Sequence, residues 1–196
     1  MSHSRSHLTV RWLVESAVMI AIGTVLSEFP KIDFPLGGGL TICSMLPLVL
    51  VSWRYGCGRG LVCAAAYSLL QLLLGSNNLQ YAASALMAAG IVLLDYLVPY
   101  TVIGLAGMFK GRIRDPRLAL VLGIASTFLL RLLCHFITGW WIWDALWPNE
   151  FGWTGPVYSI VYNGSYMAAE IAITCTVAWA LCSTPLKRYF DGEDLR

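Results

Sequence analysis

The chain has 196 residues, of which 58% are hydrophobic and only 12% are charged, with a formal net charge of +2 and a mean hydropathy of +0.68. Soluble domains carry about a quarter of charged residues, so this composition excludes an ordinary soluble domain and indicates an integral membrane protein. It gives no reason to expect a nucleic-acid partner. At about 20 residues per span, the length allows roughly six membrane helices with short loops, in one domain over residues 1–196.

Apolar runs bounded by Gly, Pro and charged residues predict an all-α protein with six transmembrane helices. The second and third runs are short for full spans, so tilt or partial burial is expected there. The first run is longer than a signal-peptide core and no A-x-A cleavage site follows it, which favours a retained span. The predicted helices are 9–28, 41–54, 58–75, 84–109, 117–142 and 156–184.

The distribution of Lys and Arg predicts the orientation, because loops rich in these residues stay on the cytoplasmic side during insertion. Both termini are therefore predicted to be cytoplasmic, with loops 29–40, 76–83 and 143–155 outside. The loop 29–40 contains three consecutive glycines and is a candidate lid. The termini and loops that are predicted to be cytoplasmic contain 11 of the 13 basic residues, namely Arg5, Arg11, Arg54, Arg59, Lys110, Arg112, Arg114, Arg117, Lys187, Arg188 and Arg196.

The six cysteines form no C-x-x-C pair and have no histidines nearby at metal-ligand spacing. They are interpreted as small packing residues. Neither a metal site nor a cofactor is predicted.

Ionisable side chains inside membrane spans are costly and are functional candidates by default. Counting from the predicted helix ends at about 1.5 Å per residue places Asp95, His135 and Asn163 in one layer, roughly 10 to 16 Å below the outer surface. These three residues are predicted to line a cavity that is open to the outside.

Arg131 and Glu170 are predicted to lie one layer deeper. Residues four or seven apart share a helix face, so Arg131 stacks below His135 and Glu170 below Asn163. An ion pair between Arg131 and Glu170 is expected to close the floor of the cavity.

Tyrosines and tryptophans cluster around the upper layer, for which a belt at the membrane interface is the simpler explanation. Aromatic faces also attract organic cations and stack on flat heterocycles. Together with a carboxylate, a histidine and an amide, they favour a flat, cationic ligand that forms hydrogen bonds.

Ala17 and Ala21 form a small-x-x-x-small pair on the first helix, which allows another helix to approach closely. Packing within the bundle and docking of an external partner are both compatible with this pair.

Three segments, "LLDYLVPYTVIGLAGMF" (93–109), "LLRLLCHFITG" (129–139) and "YSIVYNGSYM" (158–167), occur in an order and spacing that resemble the thiamine-specific S-components (ThiT/YuaJ type) of energy-coupling-factor (ECF) transporters. The resemblance covers nearly the whole chain and includes "GGGLTICSMLPLVLVSWRYG" (37–56). It implies the S-component fold, a location in the plasma membrane and no enzymatic activity.

By this resemblance, thiamine is bound by side chains of the fourth to sixth helices. Trp140, Trp141 and Tyr162 are possible additional aromatic contacts. One departure is Gly38, at a position where some members have a tryptophan that stacks on the vitamin. The implied thiamine-binding residues are Asp95, Tyr96, His135, Trp143, Tyr158 and Asn163.

The resemblance also implies protein partners. Ala17 and Ala21 match the A-x-x-x-A motif that docks such subunits on a transmembrane coupling protein (T-component), and two cytoplasmic ATPases complete the transporter. The chain itself contains no G-x-x-x-x-G-K-[ST] loop. The subunit is expected to capture thiamine from outside for ATP-driven uptake.

Three alternatives remain open from the sequence. The first is an S-component for another flat vitamin or a thiamine precursor. The second is a proton-coupled carrier with Asp95, His135 and Glu170 as a relay, and the third is an intramembrane enzyme with His135 and Asp95 as an acid–base pair, although no nucleophile or metal set supports it.

Overall fold

The computed structural model describes residues 2–29, 31–34 and 39–195. The chain is predominantly helical, as predicted, with one small two-stranded hairpin. The elements are α1 (Ser2–Glu28), β1 (Lys31–Asp33), β2 (Gly39–Thr41), α2 (Leu46–Tyr55), α3 (Cys57–Leu74), α4 (Ala85–Leu105), α5 (Pro116–Leu146), α6 (Gly155–Leu181) and α7 (Leu186–Asp191), with short 3₁₀ turns at Ser76–Tyr81 and Glu193–Leu195.

Five helices, namely α1 from His7 onward, α3, α4, α5 and α6, are long and apolar enough to cross a membrane. The predicted second span differs, because α2 has ten residues and nine of them are buried. A helix of ten residues is about 15 Å long, half the thickness of the hydrocarbon core. It is therefore surrounded by the other helices, in line with the partial burial predicted for it.

Several predicted bounds were wrong. The second helix begins at Leu46 rather than at 41, because Gly39–Thr41 pairs with Lys31–Asp33 as an antiparallel hairpin, which was not predicted. The fifth helix continues to Leu146, whereas the fourth ends at Leu105 and the sixth at Leu181. Pro185 then begins a new turn that leads into α7.

Two of the long helices contain π-helical segments, Ile91–Leu97 in α4 and Gly139–Trp143 in α5. Pro99 has no N–H with which to bond the carbonyl of Asp95, so the regular helical pattern cannot continue through this part of α4. A π turn holds one extra residue and rotates the side chains that follow it, and such turns are frequent at functional sites.

The core lies between α2, α3, α4, α5 and α6, where large side chains are fully enclosed. They include Trp53, Tyr67, Phe128 and Met167, each no more than 2% exposed. This core supports one half of the bundle. The other half, where α5 ends and α6 begins, contains most of the polar groups and the cavities described below.

At the end of the bundle opposite the cavities, Arg54 on α2 ties the C-terminal residues to α1. Its guanidinium is 2% exposed, donates to Glu15 Oε2 at 2.8 Å and forms two parallel bonds, of 2.8 and 2.9 Å, to the Asp194 carboxylate. These bonds hold the pKa of Asp194 well below its ordinary value. Their contribution to stability is thus complete at neutral pH and is lost only in acid, below the ordinary carboxyl pKa of about 3.9.

We expect Arg54→Met to lower the free energy of unfolding by about 2 kcal/mol, because Glu15 and Asp194 would keep their charges without this partner. The cost is smaller than the roughly 3–5 kcal/mol of a fully buried pair, since Asp194 is partly exposed. Denaturation of the detergent-purified protein measures it. Arg188→Met removes the same charge from an exposed side chain and serves as the control; equal stability of the two variants would contradict the expectation.

Candidate binding site

A cavity of about 480 Å³ lies between α4, α5 and α6, within the range of roughly 300–1,000 Å³ that is usual for small-molecule sites. Its lining combines aromatic rings, hydroxyls and amides with two carboxylates, and no Lys or Arg is among the described residues that line it. The lining residues are Asn78, Asp95, Tyr96, Tyr100, His135, Thr138, Gly139, Trp143, Asp144, Trp147, Tyr158, Ser159, Tyr162, Asn163 and Tyr166.

The carboxylate of Asp95 connects α4 to α5 and is held at both oxygens. Oδ1 accepts a hydrogen bond from Thr138 Oγ1 and lies 3.3 Å from His135 Nδ1, whereas Oδ2 accepts one of 2.9 Å from Trp143 Nε1. Thr138 was not predicted, although it lies one turn after His135 on the same helix face. Asp95 thus fixes the orientation of the imidazole and of the Trp143 indole.

Asn163 on α6 completes the layer that the depth count predicted. Its Nδ2 donates to the carbonyls of His135, at 3.2 Å, and Ser159, at 3.0 Å, and its Oδ1 accepts from Tyr166 OH at 2.8 Å. The structure therefore brings Asp95, His135 and Asn163 together at one level. The amide of Asn163 is engaged by the protein, so it shapes the wall of the cavity and holds Tyr166.

Close contact between α5 and α6 in this layer depends on Gly139. A Cβ at this position would overlap Ser159 Oγ and crowd Asn163 Nδ2. Gly139 is also the first residue of the π segment that ends at Trp143. The glycine therefore permits both the approach of the helices and the turn that carries the indole into the cavity.

His135 Nε2 is enclosed and has no hydrogen-bond partner among the described residues. Because Nδ1 is directed at Asp95, Nε2 is the ring nitrogen whose hydrogen-bonding capacity the described part of the protein leaves unused. A buried polar atom without a partner costs about 1–3 kcal/mol, so a ligand that bonds to it recovers this free energy.

The hydroxyl of Tyr96 is used within the protein. It donates to the Gly75 carbonyl at 2.9 Å and accepts from Asn78 Nδ2 at 2.7 Å, which anchors the turn Ser76–Tyr81 to α4. The ring is 8% exposed and still lines the cavity. Tyr96 therefore offers a ligand its ring rather than its hydroxyl.

Aromatic rings contribute much of the lining where α5 ends and α6 begins. The Trp143 and Trp147 rings are nearly parallel, with centroids 5.7 Å apart, and Tyr158 lies 5.8 Å from Tyr162 on the opposite side. Of the three possible additional aromatic contacts, Tyr162 lines the cavity.

The other two, Trp140 and Trp141, are outside the lining and are 51% and 42% exposed. They occupy the outer surface of α5, as interfacial tryptophans do. Gly38 lies outside the described residues, so its neighbourhood is not described.

A second cavity of about 220 Å³ adjoins the first and shares four of its lining residues, Tyr100, His135, Tyr162 and Tyr166. It contains the pair Arg131–Glu170, whose Nη1 and Oε2 are 2.7 Å apart. The expectation that this pair closes the floor of the main cavity was wrong, because neither side chain lines it. Both side chains are buried inside the bundle and line the adjoining second cavity instead.

The second cavity extends to the hairpin that follows α1. Thr41 on β2 donates a hydrogen bond to Glu170 Oε1 and is within 2.6 Å of Ser44 Oγ. Ser27 and Glu28, at the end of α1, also belong to its lining. Glu170 therefore ties β2, the strand at the end of the predicted lid loop, to α6.

Comparisons with known proteins agree with this architecture. The model of a family described as thiamine transporter protein (Thia_YuaJ) matches residues 13–189. The thiamine transporter ThiT of Bacillus subtilis (strain 168) is 28% identical over 183 residues, which span 88% of this chain and 90% of the relative. The solved structure of ThiT from Listeria monocytogenes has a TM-score of 0.73 at 22% identity, covering 91% of this chain and 97% of that one.

The fold is thus that of ThiT, and the sequence resemblance is confirmed at the level of the family. With five helices of membrane-spanning length, the chain is a multi-pass protein of the plasma membrane. Because the family model extends over almost all of the sequence, the chain belongs to the thiamine transporter (Thia_YuaJ) family.

Proposed function

We propose that this chain is the thiamine-binding S-component of an ECF transporter. It captures thiamine from outside the cell, has no catalytic activity and requires no cofactor for binding. The single observation that carries the proposal is the main cavity, in which two carboxylates and several aromatic rings meet and to which the described residues contribute no Lys or Arg.

Thiamine consists of a permanently charged thiazolium ring and a flat aminopyrimidine. The thiazolium is attracted by aromatic faces and by carboxylates, which Trp143, Trp147 and the two acidic side chains of the lining supply. The aminopyrimidine needs directional hydrogen bonds, for which His135 Nε2 is the candidate, since it has no partner among the described residues. A ligand that leaves one of these groups unpaired loses about 1–3 kcal/mol, which is the basis of selectivity.

Two features of the site support a rigid receptor. Asp95 holds the Trp143 indole and the His135 ring before any ligand arrives, so little conformational freedom remains to be lost on binding. The turn Ser76–Tyr81 is likewise fixed through Tyr96. The loop 29–40 would then close over the bound vitamin while β2 stays anchored at Glu170.

Uptake requires a transmembrane T-component and two cytoplasmic ATPases, with both termini of this chain in the cytoplasm. Ala17 and Ala21 are exposed on α1, so their small side chains are not used for packing within the bundle. Only 11% of the apolar part of α1 is buried, which leaves its surface accessible to another helix. Reorientation of the whole subunit on the partner, driven by ATP hydrolysis there, would release the vitamin inside.

We expect Asp95→Ala to weaken thiamine binding about 10- to 100-fold, because it frees both the Trp143 indole and the His135 ring. Asn163→Ala should weaken binding by a similar factor, since it releases Tyr166 and the contact with α5. Calorimetry of the purified protein measures both effects. Asn77→Ala, at an exposed amide outside the cavity, is the matched control.

Wild-type affinity in both site variants would refute the site. Tighter binding of a free pyrimidine or thiazole precursor than of thiamine by the wild-type protein would instead refute the substrate.

We expect the double variant Ala17→Leu/Ala21→Leu to bind thiamine normally and to lose ATP-driven uptake, because the larger side chains prevent close approach of the T-component. Uptake of labelled thiamine by vesicles that contain the complete transporter measures this loss. Ala168→Leu/Ala172→Leu places the same change, at the same spacing, on the exposed face of α6 and should transport normally. Normal uptake by the α1 variant would argue against docking through these alanines.

A further inference from the structure

The two carboxylates that line the main cavity, Asp95 and Asp144, differ in the partners that they already have. Asp95 accepts hydrogen bonds at both oxygens, from Thr138 and Trp143, and has the His135 ring beside it. Its charge is therefore distributed over these donors. A cationic ligand gains less from a carboxylate whose acceptor positions are occupied than from one that is less engaged.

Asp144 follows Trp143 directly, in the last turn of α5, and lines the same cavity. Among the described residues its one hydrogen-bond donor is Asn149, whose Nδ2 is 3.3 Å from Asp144 Oδ1. Asn149 is itself fixed by two bonds with the backbone of Trp153, at 2.9 and 3.1 Å. The loop thus positions one oxygen of Asp144 by a weak contact and leaves Oδ2 without a donor.

The position of Oδ2 is defined by the first residue of α6. It lies over Gly155, where a Cβ would overlap it, and the Trp140 ring is the next neighbour on that side. The carboxylate is close to the start of α6, whose N-cap residue Thr154 makes no capping hydrogen bond with its own side chain. Among the described residues, no hydrogen bond joins the α6 backbone to Asp144, and no Lys or Arg lines the cavity to neutralise its charge.

We propose that Asp144 is a specificity-determining residue of the cavity, which selects a ligand with a permanent positive charge, while Asp95 serves as the anchor of Trp143 and His135. This inference rests on the proposed binding of thiamine. In the bound state the thiazolium lies between the Asp144 carboxylate and the rings of Trp143 and Trp147, and the aminopyrimidine lies towards His135.

The test compares thiamine with its neutral analogue, in which a thiophene ring replaces the thiazolium, on the wild-type protein and on Asp144→Asn. The amide preserves the size of the side chain and removes its charge. We expect this variant to bind thiamine about tenfold more weakly and the neutral analogue within about twofold of the wild type. Glu150→Gln removes a charge from the same loop at an exposed position outside the cavity and should change neither affinity.

Each remaining outcome contradicts the inference in a different way. Equal weakening of both ligands by Asp144→Asn would assign the residue a structural role only, and unchanged binding of both would leave the charge without a role in recognition. Either result would leave the proposed function intact provided that the wild-type protein binds thiamine. Failure of the wild type to bind thiamine would overturn the proposed function and this inference together.

Discussion

The attachment of α4 to α5 through the Asp95 carboxylate is the interaction on which the main cavity depends. One side chain receives hydrogen bonds from Thr138 and Trp143 and lies beside His135, so that a hydroxyl, an indole and an imidazole are oriented by the same group. A buried carboxylate is costly unless it is well paired, and here the groups that compensate the cost are also the wall of the site. Loss of the Asp95 carboxylate would release Thr138, Trp143 and His135 together.

The depth of the polar site residues could be predicted from the sequence, but the π segments and the hairpin could not. Counting along regular helices was sufficient to bring Asp95, His135 and Asn163 to one depth, because the outer ends of the three helices could be placed from the sequence, near Ser84, Trp143 and Pro156. It could not anticipate the two π segments, which add a residue to a turn and separate Trp143 inside the cavity from Trp140 and Trp141 outside it. The hairpin of β1 and β2 was also missed, since three-residue strands give almost no periodic signal.

The buried ion pair of Arg131 and Glu170 also holds the hairpin that follows α1 in place. A charge at this depth requires a partner, and Glu170 satisfies both Arg131 and Thr41 of the hairpin. The spacing of four and seven residues predicted that the two charges would meet. The contribution of Thr41 could not be predicted, because it comes from a segment far away in the chain whose path only the folded structure reveals.

The bonds of Arg54 to Glu15 and Asp194 have a consequence for how the protein is handled. Asp194 is part of the packed structure, because its carboxylate is bonded to the buried guanidinium of Arg54. A shortened version of the chain that lacked Asp194 would leave this guanidinium without one of its two carboxylate partners. Shortened versions of the chain should therefore keep Asp194.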